Sequence, residues 1–184
     1  PEDIGRIDLS RFQVLHFPMG PKFQIEPDQY KHIVEFVRNG GGYVGCCQGA
    51  YFAEKLKLLD IKCYSMDVWG LYNIALRPHF VTDGRKGVIR MHFGNGPIMV
   101  AGEGCRVLAT YHLGFPTGEP AAILTGKCGK GTVVLFGTHP LGESVSYKGT
   151  KAYFSGKLLE TEVMFVNALL YASGLAGGDA AAGK

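Results

Sequence analysis

The sequence predicts an α/β fold in which a mostly parallel, doubly wound sheet is flanked by helices and extended by antiparallel strands. A strand–helix–strand–helix order over residues 10–58 is the signature of parallel strands joined by right-handed crossovers. Short strand candidates separated by Gly, Asn and Asp fill residues 60–110 and favour antiparallel pairing. A hairpin within 120–137 and a helix over 158–172 complete the predicted fold.

The parallel part contains two predicted strands and two predicted helices. The first strand lies within residues 10–18 and stops at Pro18. Residues 27–38 place apolar side chains at helical spacing, and Asn39-Gly40 is a typical C-cap. A short buried strand follows Gly40, and a second helix runs from about Gln48 to Leu58.

The remaining elements are predicted mainly from turn residues. Gly94–Pro97 and residues 126–130 are predicted turns, whereas Trp69-Gly70 and residues 77–84 are predicted loops. We expect one domain over residues 1–175 and a disordered tail over residues 176–184. The strand candidates of this part are 61–65, 87–92, 97–100, 106–113, 120–125 and 131–137.

Composition and charge exclude several classes of function. With 46% hydrophobic and 19% charged residues, the chain has the composition of a globular protein. A net charge of +3 without a basic run interleaved with aromatic residues argues against nucleic acid as a binding partner. No apolar stretch approaches the roughly 18–20 residues that span a bilayer, and no signal peptide precedes the first strand. We therefore expect a small-molecule substrate or ligand.

Five cysteines, an odd number without Cys-x-x-Cys spacing, argue against a disulfide framework and a zinc site. They favour a reducing compartment, and we expect a cytoplasmic protein. Gly129-Lys130-Gly131 lacks the spacing of a phosphate loop and precedes a strand rather than a helix. We predict neither a cofactor nor a metal.

The segment Gly40–Ala53 contains the most informative motif, Gly-x-Cys-x-Gly centred on Cys47. Flanking glycines permit a sharp strand-to-helix turn, which presents the central side chain as a nucleophile elbow does. A cysteine at a helix N-terminus is also favoured as the thiolate. The alternative for Cys47 is a Gly-rich turn in which the cysteine is packed as a small apolar residue. Cys46 is interpreted as such a buried residue, because strand alternation turns it the opposite way from Cys47.

A second candidate lies in Thr138-His139-Pro140, just past a predicted strand. If that strand runs parallel to the one before Cys47, His139 reaches the same edge of the sheet. A thiol nucleophile needs such a base nearby to take its proton. The other histidines, His92 among them, are interpreted as structural or solvated.

These segments, Gly40–Ala53 and Gly129–Pro140, resemble the class I glutamine amidotransferase-like fold and most closely the biotin–protein ligase N-terminal domain family. The strand 14–18 with Met19-Gly20 is similar to the family's strand ending in Pro-Gly-Gly. The resemblance covers about residues 10–172. It does not make the chain a biotin ligase, because the loop that binds biotinyl-adenylate has no counterpart here.

The resemblance implies an α/β sandwich with Cys47 as the nucleophile and His139 as its base. It also implies that the N–H groups of Gly20 and Gln48 form an oxyanion hole. In amidotransferases of this class a glutamate two positions after the histidine orients the imidazole, whereas Leu141 stands there in this chain. Glu143, two residues further, is a secondary candidate for that role.

Two further departures concern the start of the chain. Met19 replaces a glycine of the oxyanion loop, which narrows the pocket. The family also has a strand and a helix before the strand at Val14, where only residues 1–9 precede it here, and the first residue is Pro1. A doubly wound sheet that lacks an inner strand would leave backbone N–H and C=O groups without hydrogen-bond partners. We therefore expect that a partner chain or a preceding segment completes the sheet.

The sequence therefore predicts an amidotransferase-like or hydrolase-like enzyme that attacks an amide or similar carbonyl through Cys47. One alternative is a catalytically degenerate domain of the same fold that regulates or binds a small molecule, which the leucine at position 141 favours. Another is a redox protein in which Cys47 is oxidised rather than acylated.

Overall fold

The computed structural model of the chain describes residues 4–20, 25–112, 120–141, 145–147, 150–152 and 159–176. Glu143 and residues 177–184 of the predicted tail lie outside the described residues. Within the described part, no helix has the length and apolar character needed to span a membrane.

The described residues form eleven strands and three α-helices. Single-turn 3-10 helices at Leu9–Arg11 and Pro27–Gln29 precede the first strand and the first helix. The α-helices are α1 (Tyr30–Arg38), α2 (Gln48–Lys55) and α3 (Leu159–Ala172). The strands are β1 (Val14–Phe17), β2 (Gly42–Cys46), β3 (Ile61–Ser65), β4 (Trp69–Leu76), β5 (Gly87–Gly94), β6 (Pro97–Ala101), β7 (Cys105–Tyr111), β8 (Ala121–Cys128), β9 (Gly131–Phe136), β10 (Val145–Tyr147) and β11 (Thr150–Ala152).

Nine strands form one curled sheet in the order β1-β2-β9-β8-β7-β4-β5, and β6 joins β3 to the edge of β8. The sheet is mixed, so the prediction of a mostly parallel sheet is not confirmed. Only the pairs β1–β2 and β2–β9 are parallel, and the other pairs of this sheet are antiparallel. The physical reason is that parallel neighbours need a long crossover, usually a helix. Only residues 129–130 separate β8 from β9, and residues 77–86 between β4 and β5 contain no helix, so both pairs are antiparallel.

Helices cover both faces of the parallel strands, as the predicted α/β sandwich requires. Val44 and Cys46 of β2 pack in one buried cluster with Met164 and Ala168 of α3. Tyr43, which alternation turns to the opposite face, packs with residues of α1 and α2. Cys46 is therefore a buried core residue, as its place in the strand predicts.

The largest local error of the sequence analysis is β4, which begins at the predicted loop Trp69-Gly70 and pairs with β5 along its length. Gly and Asn are depleted in strands, and Gly70 and Asn73 obscure the pattern. At the other edge, β1 pairs with β2 and with no other described strand. That another segment or chain covers this edge stays a prediction.

Candidate functional site

Cys47 occupies a strained turn between β2 and α2. Its backbone has φ 53° and ψ −105°, a combination that a non-glycine residue adopts only where the surrounding structure imposes it. The Cys47 N–H donates to the carbonyl oxygen of Phe136 at 2.8 Å, which ties the turn to the end of β9. The turn has the geometry of a nucleophile elbow.

The spacing Gly-x-Cys-x-Gly follows from close packing across this turn. A Cβ on Gly45 would lie 2.6 Å from the carbonyl oxygen of Gly49, and a Cβ on Gly49 would overlap the carbonyl oxygen of Phe17. The buried hydroxyl of Tyr43 donates to the same Gly49 carbonyl at 2.7 Å. Both glycines are therefore required to bring α2 against β1 and β2.

His139 lies at the same edge of the sheet. Strands β2 and β9 are parallel with Cys46 opposite Phe136, so the segments that follow both strands leave the sheet side by side. The His139 N–H donates to the carbonyl oxygen of His92 at 2.8 Å and forms an isolated antiparallel bridge with β5. The curled sheet thus returns the end of β5 to the loop after β9.

The carbonyl group of Gly94 lies between the two candidate residues. The Cys47 thiol donates to this oxygen at 3.6 Å. The same carbonyl stabilises the protonated imidazole of His139, and a Cβ on Gly94 would lie 3.2 Å from His139 Cε1. Gly94 therefore connects the thiol and the imidazole, although it belongs to neither predicted motif.

The turn between β5 and β6 covers the thiol. We call residues 94–97 the covering turn. A Cβ on Gly96 would overlap the carbonyl oxygen of Gly137 and lie 3.7 Å from Cys47 Cα, so the turn packs directly on the elbow. Tyr51 donates to the Asn95 carbonyl oxygen at 3.5 Å. As a result the Cys47 residue is only 5% exposed.

Burial determines the protonation states of both residues. It raises the pKa of Cys47 to about 11, which outweighs the opposing effect of the Gln48 N–H. The expectation that the helix N-terminus holds a thiolate is therefore wrong for this closed arrangement, because desolvation dominates. Burial, together with the neighbouring His92, lowers the pKa of His139 to about 4. The site at neutral pH consists of a thiol and a neutral imidazole.

The two predicted oxyanion donors are placed differently. The Gln48 N–H is directed at the Cys47 sulfur and stabilises its thiolate. Gly20 is exposed, has φ 148° and follows β1, whose last residue Phe17 contacts Gly49 at the start of α2. Gly20 thus lies beyond the same edge of the sheet, and its role as a donor stays a prediction.

The group that orients His139 is not the glutamate of the resembling family. Leu141 is 37% exposed and has no acceptor, and Glu143 lies outside the described residues. Instead, Nδ1 of His92 lies 3.1 Å from Nδ1 of His139, and both rings are buried. Sequence reasoning missed His92 because it lies in an apolar strand and meets His139 only through the curl of the sheet.

The described residues hold no group of three or more His, Cys, Asp or Glu side chains that could bind a metal. A cavity of about 650 Å³ lies far from the elbow, at the opposite ends of the parallel strands, where Gln13 and Gly41 precede β1 and β2. Neither Cys47 nor His139 lines that cavity.

Comparison with known families and proteins matches part of the chain. The model of the family "Biotin-protein ligase, N terminal" matches residues 19–87, less than half of the chain. This match includes Cys47, Gln48 and Gly20 but ends before His139. No curated protein matches the sequence significantly.

Several solved structures share the fold. The PurLQS structure from Thermotoga maritima has a TM-score of 0.66 at 15% identity, covering 90% of this chain and 82% of that one. Cytoplasmic protein STM3548 from Salmonella typhimurium has a TM-score of 0.63 at 17% identity, covering 94% and 75%. A cold-adapted β-galactosidase from Rahnella sp. R3 has a TM-score of 0.62 at 17% identity, but the chain spans only 24% of that protein. These likenesses establish the fold that the chain shares with PurLQS and similar proteins.

Proposed function

We propose that the chain is a cysteine-dependent acyl-transfer enzyme, a hydrolase or amidotransferase-like protein related to the biotin–protein ligase N-terminal family. The observation that carries the proposal is the strained backbone of Cys47, whose thiol shares the Gly94 carbonyl with the His139 imidazole. Strain of this kind costs about 1–3 kcal/mol and persists where presenting the side chain is useful.

The reaction begins with a neutral thiol. His139 accepts the thiol proton as the sulfur attacks the carbonyl carbon, so that a C–S bond forms and the carbonyl oxygen becomes an oxyanion. The N–H groups of Gln48 and Gly20 stabilise this oxyanion, and one such donor typically contributes about 3–4 kcal/mol.

The remaining steps restore the enzyme. The C–N bond breaks, and the proton on His139 moves to the departing amine. Water then attacks the thioester while His139 takes its proton, and the C–S bond breaks to release a carboxylic acid. That proton finally returns to the Cys47 sulfur.

Substrate access requires the covering turn to move. Cys47 is 5% exposed, and its thiol is hydrogen-bonded to the Gly94 carbonyl oxygen. The carbonyl carbon of a substrate therefore cannot reach the sulfur while residues 94–97 stay in place. A neutral thiol beneath a closed turn is also protected from adventitious electrophiles and oxidants. The proposal therefore includes opening of this turn as the step that admits substrate.

The test is a search for the acyl-enzyme. The purified chain is incubated with a panel of amides and activated esters, and intact-mass and peptide mass spectrometry locate any added acyl group. We expect acylation at Cys47 that Cys47→Ala abolishes and that Cys46→Ala retains, because Cys46 packs toward α3 on the opposite face. Turnover that survives Cys47→Ala would contradict the proposal. Absence of acylation and turnover across the whole panel would also contradict it and would favour a non-catalytic domain of the same fold.

A further inference from the structure

His92 is a direct polar neighbour of the His139 imidazole. The two Nδ1 atoms lie 3.1 Å apart, and the ring centroids lie 4.9 Å apart at an interplanar angle of 57°. Both residues are only 4% exposed. The backbone bond from the His139 N–H to the His92 carbonyl, at 2.8 Å, fixes the relative position of the two residues.

A nitrogen–nitrogen contact at this distance is a hydrogen bond with one donor and one acceptor. If His139 Nδ1 carries the proton and His92 Nδ1 accepts it, Nε2 of His139 keeps its lone pair. This Nε2 is buried and has no hydrogen-bond partner among the described residues. A base that is to take a proton from a thiol needs this tautomer, with the second ring nitrogen held by an acceptor.

We propose that His92 is the positioning residue for His139, and that it accepts the His139 Nδ1–H and holds Nε2 as the base for Cys47. This inference rests on the function proposed above. In this proposal His92 performs the orienting role that a glutamate performs in the amidotransferases that the chain resembles. At the position of that glutamate, two residues after His139, this chain has Leu141.

An imidazole acceptor differs from a carboxylate in its charge. A carboxylate would stabilise the imidazolium, whereas neutral His92 orients the ring and opposes a second positive charge beside it. The Gly94 carbonyl also faces the His139 ring, and the Cys47 thiol donates to this same carbonyl oxygen. The pair therefore keeps His139 neutral and ready to accept a proton, without holding a thiolate in the resting protein.

Trp69 supports His92 from the neighbouring strand. Its ring centroid lies 6.4 Å from that of His92, and Trp69 is paired with Gly94 across the β4–β5 ladder. A Cβ on Gly94 would lie 2.6 Å from the indole ring, so the indole packs directly against the residue whose carbonyl accepts the hydrogen bond from the Cys47 thiol. Strand β4, which sequence analysis missed, thus helps to hold the positioning residue.

The test compares two substitutions of His92. His92→Phe keeps an aromatic ring but removes the acceptor, whereas His92→Gln retains an acceptor oxygen. The first readout is the tautomer of His139, measured from the 15N chemical shifts of its ring nitrogens. The second is the rate at which iodoacetamide alkylates Cys47, assigned by peptide mass spectrometry.

We expect His139 of the unsubstituted protein to carry its proton on Nδ1. His92→Phe should move the proton of His139 to Nε2. Alkylation of Cys47 should then become slower by about tenfold or more, because Nε2 no longer has a lone pair that can accept the thiol proton. His92→Gln should restore the tautomer and a rate within about threefold. An Nε2–H tautomer in the unsubstituted protein overturns the inference, and this measurement does not depend on the folding of any variant.

The same assay separates this inference from the proposed function. If His139→Ala leaves the alkylation rate of Cys47 unchanged, the Cys47–His139 pair itself is wrong. If His139→Ala slows the reaction but His92→Phe changes neither the tautomer nor the rate, the pair stands and the role of His92 is refuted.

Discussion

The thiol of Cys47 donates to the carbonyl oxygen of Gly94 at 3.6 Å. Gly94 is the last residue of β5, which in the strand order of the sheet is separated from β2 by four other strands. This bond closes the elbow beneath the covering turn and leaves a neutral thiol. Because the same carbonyl faces His139, one backbone group connects the predicted nucleophile to its predicted base.

Gly96→Ala should open the covering turn. The added Cβ would overlap the Gly137 carbonyl oxygen, so the turn must shift away from Cys47. We expect the free energy of unfolding to fall by about 1–3 kcal/mol and alkylation of Cys47 to accelerate. Gly104→Ala is the control for lost stability alone, because its positive φ strains an alanine backbone although no atom lies near the added Cβ. Equal rates in both variants would show that the turn does not guard the thiol.

Tyr43→Phe should destabilise the turn at Cys47. The buried Tyr43 hydroxyl donates to the Gly49 carbonyl, and its removal leaves that oxygen without this donor. We expect a loss of about 1–2 kcal/mol in the free energy of unfolding, measured by urea denaturation. Tyr64→Phe is the control, because Tyr64 is 53% exposed and should change stability little. A Tyr43→Phe protein as stable as this control would refute the role assigned to the bond.

The buried His139 should make the protein sensitive to acid. Its pKa is lowered from 6.5 to about 4, so the unfolded state binds the proton more readily than the folded state. Stability from this group is therefore present above about pH 6.5 and is lost as the pH falls toward 4, by an amount on the order of 3 kcal/mol.

His139→Gln tests this directly, because glutamine does not titrate. The difference in free energy of unfolding between the two proteins should change across that pH window and stay constant above it. His92, whose pKa burial also lowers, contributes with the same sign and is present in both proteins. A difference that is independent of pH would mean that His139 is not held neutral.

The sequence predicts the elbow well because its causes are local. Gly45 and Gly49 flank Cys47 within one turn, and their packing against each other leaves a signature in the spacing. The sequence left the parallel arrangement of the strands before Cys47 and His139 as a condition, and the parallel pairing of β2 with β9 meets it. Together these place Cys47 and His139 at one edge of the sheet.

The parts that sequence analysis could not supply depend on long-range geometry. His92 and Gly94 reach the elbow only because β4 and β5 pair along their whole length and the sheet curls back toward β9. No local pattern in that apolar strand distinguishes a buried core histidine from one that faces another histidine. Burial also explains the error about the thiolate, because the sequence shows the helix N-terminus but not the turn that covers it.

The most direct test of the Cys47–His139 pair is the pH dependence of Cys47 alkylation, with and without His139→Ala. With the pair present, the rate should rise as His139 loses its proton near pH 4 and then stay nearly constant until the thiol itself ionises near pH 11. In His139→Ala the rate should instead follow the thiolate alone, increasing about tenfold per pH unit up to its pKa. If both proteins show that same unit slope, His139 is not the base for Cys47, and the central claim is contradicted.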